Sequence, residues 1–143
     1  MESREALSTK EIIMEEEVLN FIFNRIKGLK IPDCDIYLNR PTIVGEKENR
    51  QDSYLIISFP NGFTYQDAFT QAEGMITIGA KDLILGLPQV REITRISNII
   101  KKEFPILTDT YSLINFEFSS DDSEGTGWHE YYYTFQIFIN QSN

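Results

Sequence analysis

Nucleophiles and metal ligands of the usual kinds are nearly missing from this chain. Its 143 residues carry one cysteine, Cys34, and one histidine, His129. A single cysteine cannot build an intrachain disulfide framework or a cysteine-rich metal site. Its neighbours, Pro32-Asp33-Cys34-Asp35, are acidic, which raises a thiol pKa and favours a small packed side chain over a nucleophile. A lone histidine beside Trp128, inside a strand-like run, reads as packed or hydrogen-bonded rather than as the base of a Ser-His-Asp or Cys-His arrangement. Positive charge is scarce as well. Thirteen Lys and Arg against 22 Asp and Glu give a formal charge of −9, so phosphate backbones are repelled and specific nucleic-acid binding is not expected.

Long apolar runs are also absent: none approaches the roughly 20 residues of a membrane span. Met1-Glu2-Ser3-Arg4-Glu5 does not read as a secretory signal. The expectation is a soluble protein of a reducing compartment. Gly125-Thr126-Gly127 lacks the third glycine, the lysine and the following helix of a phosphate-binding loop. Asp121, Asp122 and Glu124 are clustered without the spacing of a calcium loop, and read as a solvated acidic loop. No metal, cofactor or catalytic residue is expected, and the chain does not read as an enzyme.

What the chain does have is core-forming material. Hydrophobic residues make up 41% and aromatics 13%, enough to rule out a disordered chain. The length suits a single domain, 1–143. Ser8-Thr9-Lys10-Glu11 is a capping box, followed by Ile12, Val18, Leu19, Ile22, Phe23, Ile26 and Leu29 at helical spacing, with Gly28 placed to end the helix. A possible strand follows from Ile36 to Val44, with Pro41 implying an edge or a break. Tyr54 to Phe59 is a strong strand. Pro60-Asn61-Gly62 supplies hairpin chemistry, leading to a return strand at Phe63-Thr64-Tyr65. Gln66 to Ala72 is open between strand and helix, and Met75 to Gly79 reads as a short strand. Pro88 introduces a second amphipathic helix through Val90, Ile93, Ile96, Ile100 and Phe104.

The chain closes with Tyr111 to Phe118, whose even positions Ile114, Phe116 and Phe118 make a clean apolar face, an acidic loop from Ser119 to Gly127, and an aromatic strand from Trp128 to Ile139. In that last strand Tyr131, Tyr133, Phe135, Ile137 and Ile139 share one face, and Glu130, Tyr132, Thr134, Gln136 and Phe138 the other. With apolar rings on both faces, it is either sandwiched between layers or borders another subunit. The fold class expected is α+β: a mostly antiparallel β-sheet with two amphipathic helices packed against it.

This order of elements resembles that of bacteriophage tail-terminator and neck-completion proteins, the lambda minor tail protein U type. The features that carry the resemblance are the helix from Glu11 to Gly28, the strand Tyr54 to Phe59 with its hairpin, and Met75 to Gly79. The helix Val90 to Phe104 and the closing pair Ile114 to Phe118 and Tyr131 to Ile139 follow in the same order. The likeness is one of order and pattern over most of the chain, with no fingerprint motif. It implies a structural virion protein, assembled in the host cytoplasm, forming a homo-oligomeric ring at the head–tail junction or tail end. Portal, connector or tail proteins would be its neighbours, and DNA would pass through without specific binding. Candidate interface or lumen residues are Asp121, Asp122, Glu124, Trp128, Tyr132 and Phe138. The alternative is a small cytoplasmic α+β binding module whose groove takes a peptide or small ligand.

Overall fold

A computed structural model describes residues 8–38, 52–65, 69–84, 87–123 and 127–140. Helix α1 (Thr9–Lys27) leads into β1 (Cys34–Leu38), β2 (Ser53–Ser58), β3 (Phe63–Tyr65) and β4 (Phe69–Lys81). Helix α2 (Val90–Lys101) follows, then β5 (Ile106–Leu107), β6 (Tyr111–Ser123) and β7 (Trp128–Asn140). The class is α+β, and the sheet is mostly antiparallel. Its spine is the pairing of β4 with β7, unbroken from Phe69↔Asn140 to Lys81↔Trp128. The strand order is β1-β2-β4-β7-β6-β5, with β3 also beside β4. One pair departs from the antiparallel pattern: β1 runs parallel to β2, from Cys34↔Ser53 to Leu38↔Ile57. A parallel neighbour needs a crossover connection. Residues 39–51, with Pro41 and most of the expected loop, lie outside the described residues, but β1 does occupy the sheet edge.

Local chemistry starts α1, whereas α2 begins at Gln89 with no side-chain cap. The Ser8 hydroxyl accepts the Glu11 N–H at 3.2 Å, and Glu11 Oε1 accepts the Ser8 N–H at 3.0 Å, which completes the capping box. Both helices cover the same sheet face. Val18, Ile22 and Ile26 of α1 and Ile93, Ile96 and Ile100 of α2 meet Leu55, Ile57, Ile76, Ile78, Phe135, Ile137 and Ile139. The stripe on α1 is centred later than the spacing suggests. Ile12 is 45% exposed because the first turns of the helix are not enclosed by the core. Val90, expected on the buried stripe of α2, is likewise exposed.

Three further expectations change. Gly62 does take a positive φ of 69°, and its N–H donates to the Phe59 carbonyl at 3.1 Å. Yet β2 and β3 both run antiparallel to β4, through Ser58↔Met75 and Phe63↔Ala72. The turn therefore interrupts one long partner running along the same side of β4 and makes no β2–β3 hairpin. Met75 to Gly79 is the second half of the 13-residue β4, which also absorbs Phe69 to Ala72; residues 66–68 lie outside the described set. In β6, register shifts fall between Ile114 and Glu117 and between Phe118 and Ser120, with Asn115 at φ 59°. Each inserted residue reverses the alternation. Leu113 and Phe116 are therefore the buried pair, and the even-numbered face read from sequence does not exist as one surface.

Two aromatic rings lie directly over glycines of β4. A Cβ at Gly74 would sit 2.2 Å from the Phe135 ring, and one at Gly79 would sit 2.1 Å from the Tyr54 ring. Gly79→Ala must push a fully buried ring aside, and overpacking of this kind costs about 1–3 kcal/mol. Urea unfolding of the variant should show that loss as a lower midpoint with an unchanged slope.

Candidate functional site

The sheet face away from the helices carries a second, smaller core. Its alternating positions place Tyr37 of β1, Tyr54 and Ile56 of β2, and Trp128, Glu130 and Tyr132 of β7 on one side. Tyr54 and Ile56 are buried, with Tyr37 and Trp128 packed against them. The Tyr54 and Trp128 rings are tilted at 5.6 Å. In their midst Glu130 is 0% exposed. A buried carboxylate is tolerated only when hydrogen-bonded. The Tyr54 hydroxyl donates to Glu130 Oε2, and the Tyr132 hydroxyl donates to Oε1 at 2.8 Å.

The helix-side face is closed by rings of β7 and its neighbours. Tyr133 stacks on Phe116 at 5.1 Å, and Phe135 meets Phe104 at 5.6 Å and Phe59 at 5.9 Å. Much of the aromatic surface of β7 is thus used within the chain itself. The exposed apolar material lies elsewhere. Leu83, Ile84 and Leu87, on the connection from β4 to α2, and Val90 at the helix start are about half exposed or more, as is Phe118 on β6. Leu83, Leu87, Pro88 and Val90 line a groove of about 640 Å³ with Arg91, Glu92 and Arg95.

On that groove Arg95 grips Glu92 through two contacts of 2.7 and 2.8 Å and reaches the Pro32 carbonyl at 3.3 Å, tying α2 to the turn before β1. The guanidinium holds the Glu92 carboxyl below its ordinary value. Burial pushes the Cys34 thiol up to about 11, Asp35 adds to the rise, and a hydrogen bond with Ser53 offsets part of it. The cysteine therefore stays protonated. Burial outweighs the acidic neighbours in raising it.

His129 is hydrogen-bonded, its Nδ1–H donating to Asp82 Oδ1 at 2.6 Å. It shares a sheet row with Cys34, running Cys34↔Ser53, Ser53↔Ala80 and Ala80↔His129. Three strand spacings of about 4.8 Å keep the two roughly 14 Å apart. Among the described residues, no group of three or more His, Cys, Asp and Glu is placed to hold a metal ion. Likewise, no described helix is long and apolar enough to cross a membrane.

The candidate residues do not form one site. Trp128 and Tyr132 flank Glu130 on the helix-free face, both half-buried. Phe138 is half-buried against Phe69 at 6.1 Å, six residues and about 20 Å further along the strand. Asp121 and Asp122 are exposed, but they are strand residues of β6 paired with Tyr131 and Glu130, not loop residues. As neighbours on a strand, they point to opposite faces. Glu124 lies outside the described residues. Sequence reading passed over Glu130 as a binding or structural centre, although a carboxylate in the middle of an aromatic strand was the signal. It also left Leu83-Ile84-Leu85-Gly86-Leu87 unassigned, although five nearly apolar residues outside any periodic element were visible. No family model matches this chain, and no curated protein matches it at a significant level.

Tyr54→Phe strands part of a buried carboxylate and should cost about 1–3 kcal/mol in chemical denaturation, more than Tyr132→Phe at its half-buried position. Arg95→Ala should cost about 0.5–1 kcal/mol near neutral pH, since the pair is partly solvent-screened. A depressed carboxylate stabilises the fold above its unfolded pKa and loses that effect as pH falls through the folded value. The gap between wild type and Arg95→Ala should therefore be full at pH 7 and close as pH falls below about 4.5, measured by denaturation across pH.

Proposed function

We propose that this chain is a structural component of a bacteriophage virion, assembled in the host cytoplasm as a ring at the head–tail junction or tail end, with no catalytic step. The observation that carries the reading is the exposed apolar connection between β4 and α2, where Leu83 is 66% and Ile84 70% exposed. Clustered apolar side chains on a surface mark an interaction site, and a ring protomer needs such surfaces for head-to-tail contacts that close on themselves. The order of elements, similar to that of tail-terminator and neck-completion proteins, supports the same reading. So does the incomplete burial of Tyr132 and Phe138 within the protomer. Asp121 and Asp122, exposed near the end of the β6–β7 hairpin, suit a lumen through which DNA slides without sticking, or a contact with a neighbouring portal, connector or tail ring.

The groove beside α2 favours one second reading, a cytoplasmic module that binds a peptide or small ligand, because 640 Å³ falls within the usual range for such sites. Electron microscopy of the purified chain, alone and with the adjacent head and tail proteins, separates the two. Closed rings are expected, and Ile84→Asp should abolish them while circular dichroism stays unchanged. A compact monomer that joins no particle would sink the ring reading. Saturable binding of a peptide by that monomer would establish the second.

A further inference from the structure

We propose that Asn61 is a self-modification site, where the backbone nitrogen of Gly62 displaces the side-chain ammonia and a carboxylate replaces the amide. The inference stands apart from the ring reading and starts from a mismatch between sequence and fold. Asn-Gly is the chemistry of a tight hairpin, yet β2 and β3 both pair with β4 and not with each other. Asn61 is therefore exposed in a turn that no strand ladder spans. Among the described residues one backbone bond closes that turn, from the Gly62 N–H to the Phe59 carbonyl at 3.1 Å. The attacking amide has to swing onto the side-chain carbonyl carbon of the preceding asparagine, a path that a following side chain obstructs. Glycine has no Cβ and the widest choice of backbone angles, and Gly62 already sits at φ 69°. No other asparagine in the chain precedes glycine. Asn20, Asn24 and Asn98 are held in helices, and Asn115 precedes the buried Phe116.

The step balances with water alone. The Gly62 nitrogen gives its proton to solvent hydroxide and forms a bond to Asn61 Cγ, while the Cγ–Nδ2 bond breaks and ammonia leaves. Water then opens the cyclic imide at either carbonyl, which yields aspartate or isoaspartate. In the closed turn the Phe59 carbonyl holds the proton that has to depart. The turn must open first, so the rate follows the open fraction. The product alters the uncovered sheet face. Asn61 lines a hollow of about 230 Å³ with Thr64, Gln71, Glu73 and Gln136, in which Glu73 is the one charged side chain. Conversion sets a second carboxylate beside it and adds one negative charge to a chain that already carries −9.

The test incubates the full-length chain in mildly alkaline buffer and follows it by ion-exchange chromatography and peptide mass spectrometry. A more acidic species is expected to grow in, and its Asn61 peptide should carry the mass change of NH2 replaced by OH. That peptide should contain both aspartate and isoaspartate, and its conversion should exceed that of any other asparagine at least about tenfold. Asn61→Ser, an exposed change outside the strands, should remove the acidic species while circular dichroism stays unchanged. A free peptide of residues 57–65 should convert faster than the folded chain, because no turn bond restrains its glycine nitrogen. Conversion spread evenly over the asparagines, or an acidic species that persists in Asn61→Ser, overturns the proposal. So does a folded chain whose Asn61 stays intact while the free peptide converts, since the closed turn would then block the attack.

Discussion

The pairing of β4 with β7 is the constraint on which the molecule depends. From Phe69↔Asn140 to Lys81↔Trp128 the ladder has no bulge, so the register of each strand fixes the side on which every side chain of the other emerges. The remaining strands are set outward from this pair, β2 and β3 along β4 and β6 along β7. The two glycines of β4 under rings show how tightly the faces are specified. Gly74 receives Phe135 on the helix side, and Gly79 receives Tyr54 on the other. Because the alternation has period two, an even and an odd glycine on one strand accommodate rings on both faces at once.

That ladder separates two environments. The helix side is a dry aliphatic and aromatic core in which Phe104, Phe116, Tyr133 and Phe135 stack on one another. The other side has a polar centre, with Glu130 held by Tyr54 and Tyr132 under Trp128. Buried polar groups of this kind specify one arrangement strongly, because a slipped register would leave the carboxylate without its donors. The exposed apolar side chains lie at the borders of α2, on a connection rich in leucine and on a strand interrupted by bulges.

Much of the architecture was legible in the residues because it is local. The capping box at Ser8 and Glu11, the isoleucine spacing in α2, and the odd-face run of β7 each depend on neighbours within a turn or a pleat. The misreadings share one cause, since each depended on a partner far along the chain. Asn61-Gly62 carries hairpin chemistry, but whether the chain reverses into a hairpin depends on which strand takes the next hydrogen bonds, and that strand is β4. The apolar alternation of Tyr111 to Phe118 is real in sequence, but the two register shifts against β7 redistribute it. The acidic run from Ser119 looked like a loop because nothing local announces that Ser120 to Ser123 pair with Tyr132 to His129.

By itself, the sequence determined that two amphipathic helices and several strands would form, that β7 would carry apolar rings on both faces, and that the surface would be acidic. Those are properties of periodicity and composition, which each residue carries wherever the chain goes. The parallel placement of β1, the burial of Glu130 between two tyrosines, the His129–Asp82 hydrogen bond and the exposure of Leu83, Ile84 and Leu87 were decided only in three dimensions. Each of them brings together groups from separate elements or leaves a segment uncovered. Whether a side chain is enclosed depends on what packs over it, and that is a property of the assembled sheet and helices.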